Sequence, residues 1–265
     1  EQRSCSDPFF FCYKLSAIVY SLLSIVSGLC IIPPMPDEKK LAINERIKTE
    51  SRYLKGALAE TMAQEVDHFS SDEIQLIKFH GFYEQDDRDA RPHLIKAGKP
   101  KAFSMMIRSK VPGGFLSAEQ YLAHDKIADD FGLGQFRITD RQGIQFHGVL
   151  KKNIKALLQA LNHVKVTTIG ACGDVVRNVM APAAPFLKYQ KHGLLDYAQK
   201  ISDQFLWKSG TYAELWLDGA KVDLTEDAST VEPIYGRTYL PRKFKIAMAF
   251  PGDNSVDVYA HDIGI

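Results

Sequence analysis

The chain has 265 residues, 45% of them apolar and 25% charged, ordinary globular proportions with length enough for one large domain or two of common size. Its 33 basic and 32 acidic residues leave a formal net charge of +1, which excludes nucleic-acid binding through bulk charge and leaves any anion chemistry to local placement. Cys5, Cys12 and Cys30 fall in the first 34 residues and Cys172 alone beyond them, with no CxxC and no Cys/His cluster. Neither a disulfide framework nor a structural zinc site is supported, and a reducing compartment is the natural setting.

Residues 15–32, "LSAIVYSLLSIVSGLCII", run for 18 positions without a charge, long enough for a membrane helix. The surroundings argue otherwise: no clear basic region precedes them, no small-x-small cleavage site follows, and the first methionine, Met35, opens "MPDEKKLAINERIKTES" in the manner of a soluble N-terminus. Residues 1–34 are therefore expected to be upstream sequence outside the fold, with membrane contact expected only if 15–32 is a true anchor. A helical arm is expected over 35–75, with Gly56 its main breaker and Ser70 or Ser71 capping a following helix. "YEQDDRDAR" reads as an ion-pair network holding that arm against the body. A metal site is the weaker reading, because carboxylates interleaved with arginines neutralise one another.

A βα step follows, with strand "FSMMIRSKV" (103–111), a "PGG" turn, and a helix from "SAEQYLAHDKIADDF" that Ser117 can cap. "QFRIT" and "GIQFHGVL" supply two strands. "NIKALLQALNHV" offers Asn153 as cap and Ile154, Leu157, Leu158 and Leu161 at helical spacing, and "KVTTI" closes the unit as a strand. The order β-α-β-β-α-β is the ferredoxin-like arrangement. Beyond the Gly- and Pro-rich join "GACGDVVRNVMAPAAP", a helix at "GLLDYAQKISDQFL" leads into strands "TYAELWL" (211–217) and "TYLPRKFKIAMAF", where Phe244, Ile246, Met248 and Phe250 share one face and Lys243 and Lys245 the other. The last residues, "VDVYAHDIGI", read as strand, and the polypeptide is expected to continue past them. The expected fold class is α+β, with residues 76–172 a ferredoxin-like half-domain and 173–265 the first part of a second α+β domain.

Four strand or loop segments present cations: Arg108 and Lys110, Arg137 and Arg141, Arg177, and Arg242, Lys243 and Lys245. Arginine offers carboxylates a planar fork and lysine a compact charge, so together they suit a polyanionic ligand plus a small oxyanion. "FRITDRQGIQFHG" (136–148) carries Arg137, Thr139, Arg141, Gln145 and His147 at period two, with Ile138, Ile144 and Phe146 on the opposite face. That is a half-buried strand text with a hydrogen-bonding second face.

"KFHGFYEQDDRDAR", "MIRSKVPGGFLSAEQYL", "RITDRQGIQFHGVLKKN", "GACGDVVRNVMAPAAP", "AELWLD" and "YGRTYLPRKFK" together resemble the N-terminal half of the assimilatory sulfite reductase family, over nearly all of 42–265. The resemblance implies the nitrite/sulfite reductase fold, a siroheme coupled to a 4Fe-4S cluster, and six-electron reduction of sulfite to sulfide. It implies that Arg108, Arg177, Lys243 and Lys245 hold sulfite and deliver protons, and that Arg137, Thr139, Arg141, Gln145, His147 and Arg242 contact siroheme, whose eight carboxylates account for the surplus of cations. No residue of this chain is assigned to a metal: the family's cluster cysteines come from its second half, so the chain alone is expected to lack the cluster and to be inactive. The electron donor implied is ferredoxin or an NADPH-flavoprotein subunit, "GACGDV" leaning to ferredoxin, and the setting cytoplasmic, or plastid stroma in a plant or alga. Val176 stands where Asn is expected, and Gly173 has no side chain where some relatives have Asn, which puts a distal polar contact in doubt. The competing readings are a siroheme nitrite reductase of the same superfamily and a non-enzymatic module binding nucleic acid with its basic face. The latter should interleave aromatic residues with its cations, and no nucleic-acid partner is expected.

Overall fold

The computed structural model describes residues 42–183, 188–207, 215–217, 220–222 and 232–265. The uncharged stretch 15–32 and the first half of the expected strand 211–217 lie outside them. Among the described residues no helix is long and apolar enough to cross a membrane.

The arm is broken. Helix α1 (Ile43–Glu50) and helix α2 (Leu58–Ala63) are separated by a turn in which Arg52, Tyr53 and Leu54 all have positive φ (53°, 58° and 66°). Left-handed backbone costs a non-glycine residue roughly 1–2 kcal/mol. It is held here because Leu54 is fully buried and its amide donates to Ser51 Oγ at 2.8 Å. Helix α3 (Ser71–Ile77) starts at Ser70, whose hydroxyl accepts from the Glu73 amide while Glu73 accepts from the Ser70 amide. The reciprocal bonds satisfy two orphan donors of the first turn.

The central sheet has four strands in the order β1-β2-β4-β3, all antiparallel: β1 (Phe82–Asp86), β2 (Phe103–Ser109), β3 (Phe136–Ile138) and β4 (Ile144–Val149). "KVTTI" does not close it as a strand. It contributes one antiparallel bridge, Thr167 to Lys110, because Lys165 turns left-handed (φ 59°) and β1 already occupies the same edge of β2. With that bridge counted as the reduced fourth strand, β2, β3 and β4 keep the ferredoxin-like order.

Between β1 and β2 lies helix α4 (Arg91–Lys96). The acidic run is mostly closed on itself, and only in part a fastening for the arm: Arg91 grips Asp86 with two bonds of 2.5 and 2.6 Å, the Asp87 carboxylate accepts from the Asp89 and Ala90 amides, and Glu84 reaches the arm by accepting from the Phe69 amide at 2.6 Å. Among the described residues no cluster of His, Cys, Asp or Glu could hold a metal ion. Two buried lysines fasten the arm further. Lys151 donates to the Thr61, Gln64 and Val66 carbonyls at 2.6, 3.1 and 2.7 Å, and Lys48 donates to Leu240 O at 2.9 Å.

Helices α5 (Ala118–Phe131) and α6 (Ile154–His163) cover one face of the sheet. Ser117 and Gln120 close a capping box on α5, as its sequence predicts, whereas Asn153 has helical backbone and makes no side-chain cap. Met105, Ile107 and Phe146 pack against Ile127, Leu157 and Leu161 to form the core, each such side chain stabilising by about 1.5–3 kcal/mol on burial. Helix α7 (Lys188–Gln204) lies over the Pro112–Gly114 turn, where Gly113 (φ 63°) faces Leu195 and Ala198 with no room for a Cβ. A short hairpin, β5 (Leu215–Leu217) with β6 (Ala220–Val222), and a parallel pair, β7 (Ile246–Ala247) with β8 (Ile263–Gly264), complete the elements.

The expected long strand at 240–250 is thus mostly irregular. Its backbone instead runs beside loop 174–180: the amides of Leu240 and Phe244 donate to Asp174 O and Val175 O (both 3.0 Å), and those of Arg177 and Met180 to Phe244 O and Ile246 O (2.9 and 3.1 Å). Val175, Val179, Ile246 and Met248 fill the second core beneath, together with Ile47, Leu54 and Trp207.

His80, next to the arm turn, supplies a test of this packing. Burial pushes its imidazole down to about 4 against a weaker opposing bond to Leu54 O. Between about 6.5, the unfolded value, and about 4 the unfolded chain binds a proton that the folded one refuses, so stability falls as pH drops through that window. Urea denaturation of His80→Gln against the parent from pH 7 to 4 should show a flatter decline in the variant.

Candidate functional site: a cationic pocket

Gln145 lies at the centre of a row across the sheet, with Arg108 of β2 and Arg137 of β3 as its cross-strand neighbours. The row points away from the helices because β4 alternates: Ile144, Phe146 and Val149 are buried in the core while Gln145 and His147 take the other face. With the Gln145 amide assigned so that its oxygen faces Arg108, it accepts from Arg108 Nε (3.0 Å) and Nη2. Arg108 Nη1 also reaches Cys172 Sγ at 3.2 Å.

Beside this row the chain encloses a pocket of about 590 Å³ lined by Arg108, Arg137, Arg141, Arg177, Lys243 and Lys245, with Thr139, Gln145, Ser109 and Asn178 among its polar contacts and Asp140 its one carboxylate. Eight of the ten residues singled out above therefore converge on one cavity. His147 does not: it borders a neighbouring concavity shared with Gln85 and Arg137, its Nε2 3.4 Å from the Gln145 amide. Arg242 is exposed and outside the lining. Lys110 is absent as well. Its ammonium is buried near Gly170, with burial pushing it down to about 8 against the opposing charge of Asp203. Ile138, read as a core residue, is 72% exposed on the edge strand and borders the pocket.

None of the six lining cations has an ion-pair partner within 4 Å among the described residues. Four of them, Arg108 as above and three more, are held by neutral acceptors. Arg177 Nε donates to Gly173 O at 2.6 Å, Arg141 Nη1 approaches Met180 Sδ at 3.4 Å, and Lys245 Nζ donates to Ala260 O at 2.6 Å. Burial depresses Arg141, with Asp140 and Asp262 opposing and Arg177 and Arg108 adding to the fall. Two like charges about 8 Å apart in an effective dielectric of about 20 repel by roughly 2 kcal/mol, so an array of six is relieved by an anion.

Four further residues support the site. Asn178 Nδ2 donates to Val111 O and Arg141 O (2.7 and 2.9 Å), while its Oδ1 is buried without a partner among the described residues. Ser109 Oγ meets His124 Nε2 at 3.0 Å on the core side, which ties β2 to α5. Tyr83 lies beside Arg177 and Cys172, and its phenol is pushed up by burial. The Cys172 thiol is fully buried, and burial pushes it up despite Arg108 and Arg177. Of these only Asn178 carries a sequence signal, as the neighbour of Arg177. Thr139 is occupied in the β3–β4 turn, bonded to both the amide and the carbonyl of Gly143. Val176 is a core residue beside Phe244, so no polar contact arises there.

Residues 98–164 match the model of the nitrite/sulfite reductase ferredoxin-like half domain, and 169–265 match that of the nitrite and sulphite reductase 4Fe-4S domain. The chain belongs to the nitrite and sulfite reductase family. It is 47% identical over 227 residues to a protein named sulfite reductase [NADPH] hemoprotein beta-component from Methylobacterium radiotolerans, covering 85% of this chain and 37% of that one. The like-named protein of Shewanella putrefaciens is 47% identical over 229 residues, 86% of this chain and 40% of that one. The chain thus spans about two fifths of the length of these relatives. A solved structure titled Structure of Mycobacterium tuberculosis NirA protein shares the fold, with a TM-score of 0.55 and 20% identity over 79% of this chain and 35% of that one.

Gly173 is the pocket's tightest support: at φ +87° its added Cβ would lie 2.8 Å from the Phe79 ring, and its carbonyl holds Arg177. Gly173→Ala should lower the thermal midpoint, equivalent to roughly 1–3 kcal/mol, and weaken anion binding together with it. Differential scanning fluorimetry with and without sulfite would read both changes.

Proposed function

We propose that the pocket is the anion and siroheme side of a sulfite reductase, reducing sulfite to sulfide by six electrons. The single observation carrying this is the convergence of six cations without carboxylate partners on one cavity of a nitrite and sulfite reductase family chain. A polycarboxylate macrocycle fits that lining, because several spaced guanidinium forks can each take a carboxylate. The buried, unpartnered Oδ1 of Asn178 at the same wall adds an acceptor that a bound group can satisfy. A four-thiolate cluster has no seat among the described residues, where Cys172 is the one cysteine and its thiol already meets Arg108.

When bound, siroheme supplies the iron centre at which the sulfur atom is reduced. The chain's own residues supply the surroundings. Arg108 and Arg177, fixed by Gln145, Cys172 and Gly173 O, present fixed positive charge to an oxyanion that sheds oxygen as water, so each developing negative charge meets a preset field. Lys243 and Lys245, two residues apart on the facing wall, stand as proton donors. Lys245 spends one ammonium proton on Ala260 O and keeps two for a ligand. Arg137 and Arg141, with Thr139 and Gln145, are the macrocycle contacts in this reading, while His147 and Arg242 stand outside the pocket and serve at its margins.

Relatives named NADPH hemoprotein beta-components point to a flavoprotein electron donor rather than ferredoxin, and the free thiol of Cys172 suits the cytoplasm. The full-length protein should show siroheme bands and reduce sulfite with reduced viologen in preference to nitrite. Lys245→Met should lower sulfite kcat/KM by about 10²–10³-fold. A strong preference for nitrite, or no siroheme after expression with siroheme synthesis available, would overturn the reading.

A further inference from the structure

The pocket is built from two frames of different construction. Arg108 and Arg137 stand on a four-stranded sheet, whereas Arg177, Lys243 and Lys245 stand on loop 171–181 and segment 240–248, joined by backbone bonds that include two isolated parallel bridges. The first of those bonds, Leu240 N to Asp174 O at 3.0 Å, follows directly on Tyr239, a buried bulky residue at φ 56°. A left-handed tyrosine persists only where its surroundings hold it.

Lys48, from helix α1, meets that bond at its outer end. It is 1% exposed, and its ammonium donates to Leu240 O (2.9 Å), pairs with Glu45 (2.6 Å) and lies 3.7 Å from the Asp174 carboxylate. One buried cation therefore grips both segments: Asp174 stands three residues before Arg177, and Leu240 three before Lys243. We propose that Lys48 is a positioning residue of the anion pocket, setting where Arg177, Lys243 and Lys245 stand relative to the sheet cations. The inference rests on the reading of this pocket as the sulfite site.

The molecule contains its own control. Lys151 is also buried and also fastens the arm, through three carbonyls at residues 61–66, but it touches no segment of the pocket. Loss of either lysine loosens the arm, and loss of Lys48 alone frees the pocket loops.

The experiment compares full-length holoenzyme carrying Lys48→Met, Lys48→Arg, Asp174→Asn or Lys151→Met. Methionine can follow the lysine stem, and Glu45 and Asp174 keep 24% and 35% of their side chains exposed, so water can take over their solvation. Thermal midpoint, sulfite kcat and KM, and sulfite affinity by titration calorimetry are measured. Lys48→Met is expected to lower kcat/KM about tenfold, mainly through KM, with most of it regained in Lys48→Arg and a smaller rise in KM for Asp174→Asn. Lys151→Met is expected to lower the midpoint comparably with kcat/KM within about twofold of the parent. Equal KM for Lys48→Met and Lys151→Met would overturn the proposal, and should Lys48→Met not fold, an unchanged KM in Asp174→Asn would do so. A parent protein that binds sulfite without reducing it would count against the catalytic reading, while calorimetry would still decide the role of Lys48.

Discussion

Like-charge repulsion is the constraint around which this structure is arranged. Six cations line one cavity with a single carboxylate, Asp140, among them, and the neighbours that fix them do not neutralise them. A carboxylate partner would orient Arg177 equally well but would also cancel its charge. The Gly173 and Ala260 carbonyls, the Cys172 and Met180 sulfurs and the Gln145 amide orient while leaving the field intact. The repulsion among the six is relieved on anion binding, which is the arrangement that preorganised electrostatic catalysis needs.

Holding such a field requires a stiff wall. The sheet supplies it because Phe146 and Ile144, on the reverse of Gln145, are buried with Ile127, Leu157 and Leu161, so Arg108, Gln145 and Arg137 cannot shift without disturbing a packed core. Ser109 adds a polar tie from the same strand to His124 of α5. The opposite wall has only the short parallel pair of β7 and β8 and two isolated bridges. There, backbone bonds between 174–180 and 240–248, with Val175, Val179, Ile246 and Met248 below, serve the same purpose.

Much of the sheet wall is legible in the sequence, because the alternation in "FRITDRQGIQFHG" by itself separates Gln145 and His147 from Ile144 and Phe146. The row of Arg108, Gln145 and Arg137 is not, since cross-strand register is a property of pairing and not of either strand. Strand β1 escapes a sequence reading because "FYEQD" mixes aromatic and acidic residues on a half-exposed strand. "KVTTI" invites too much, because β propensity says nothing of a left-handed Lys165 or of an edge already taken. The break in the arm is a tertiary override: Leu54 burial holds three residues in a conformation none prefers. Nothing in the sequence analysis singles out Lys48 or Lys151, and only long-range contacts reveal both as buried clamps. Arg177 is legible as a cation and Asn178 as its neighbour, while the loop-to-loop tie that Asn178 makes is not.

The two positions where this chain departs from the expected family pattern bear on selectivity. Val176 points into the core beside Phe244, and Gly173 packs its α-carbon on Phe79, so neither brings an uncharged donor to the cavity. On the reading proposed above, the anion is then held chiefly by charge, with shape recognition by neutral donors reduced. Sulfite carries up to two negative charges and nitrite one, so a field made of fixed cations favours the former by the larger electrostatic gain, an advantage that increases with each cation kept unpaired. On that reading, selectivity depends less on any single contact than on keeping carboxylates few in the lining, where Asp140 is the one, and on anchoring the cations by carbonyls and sulfurs.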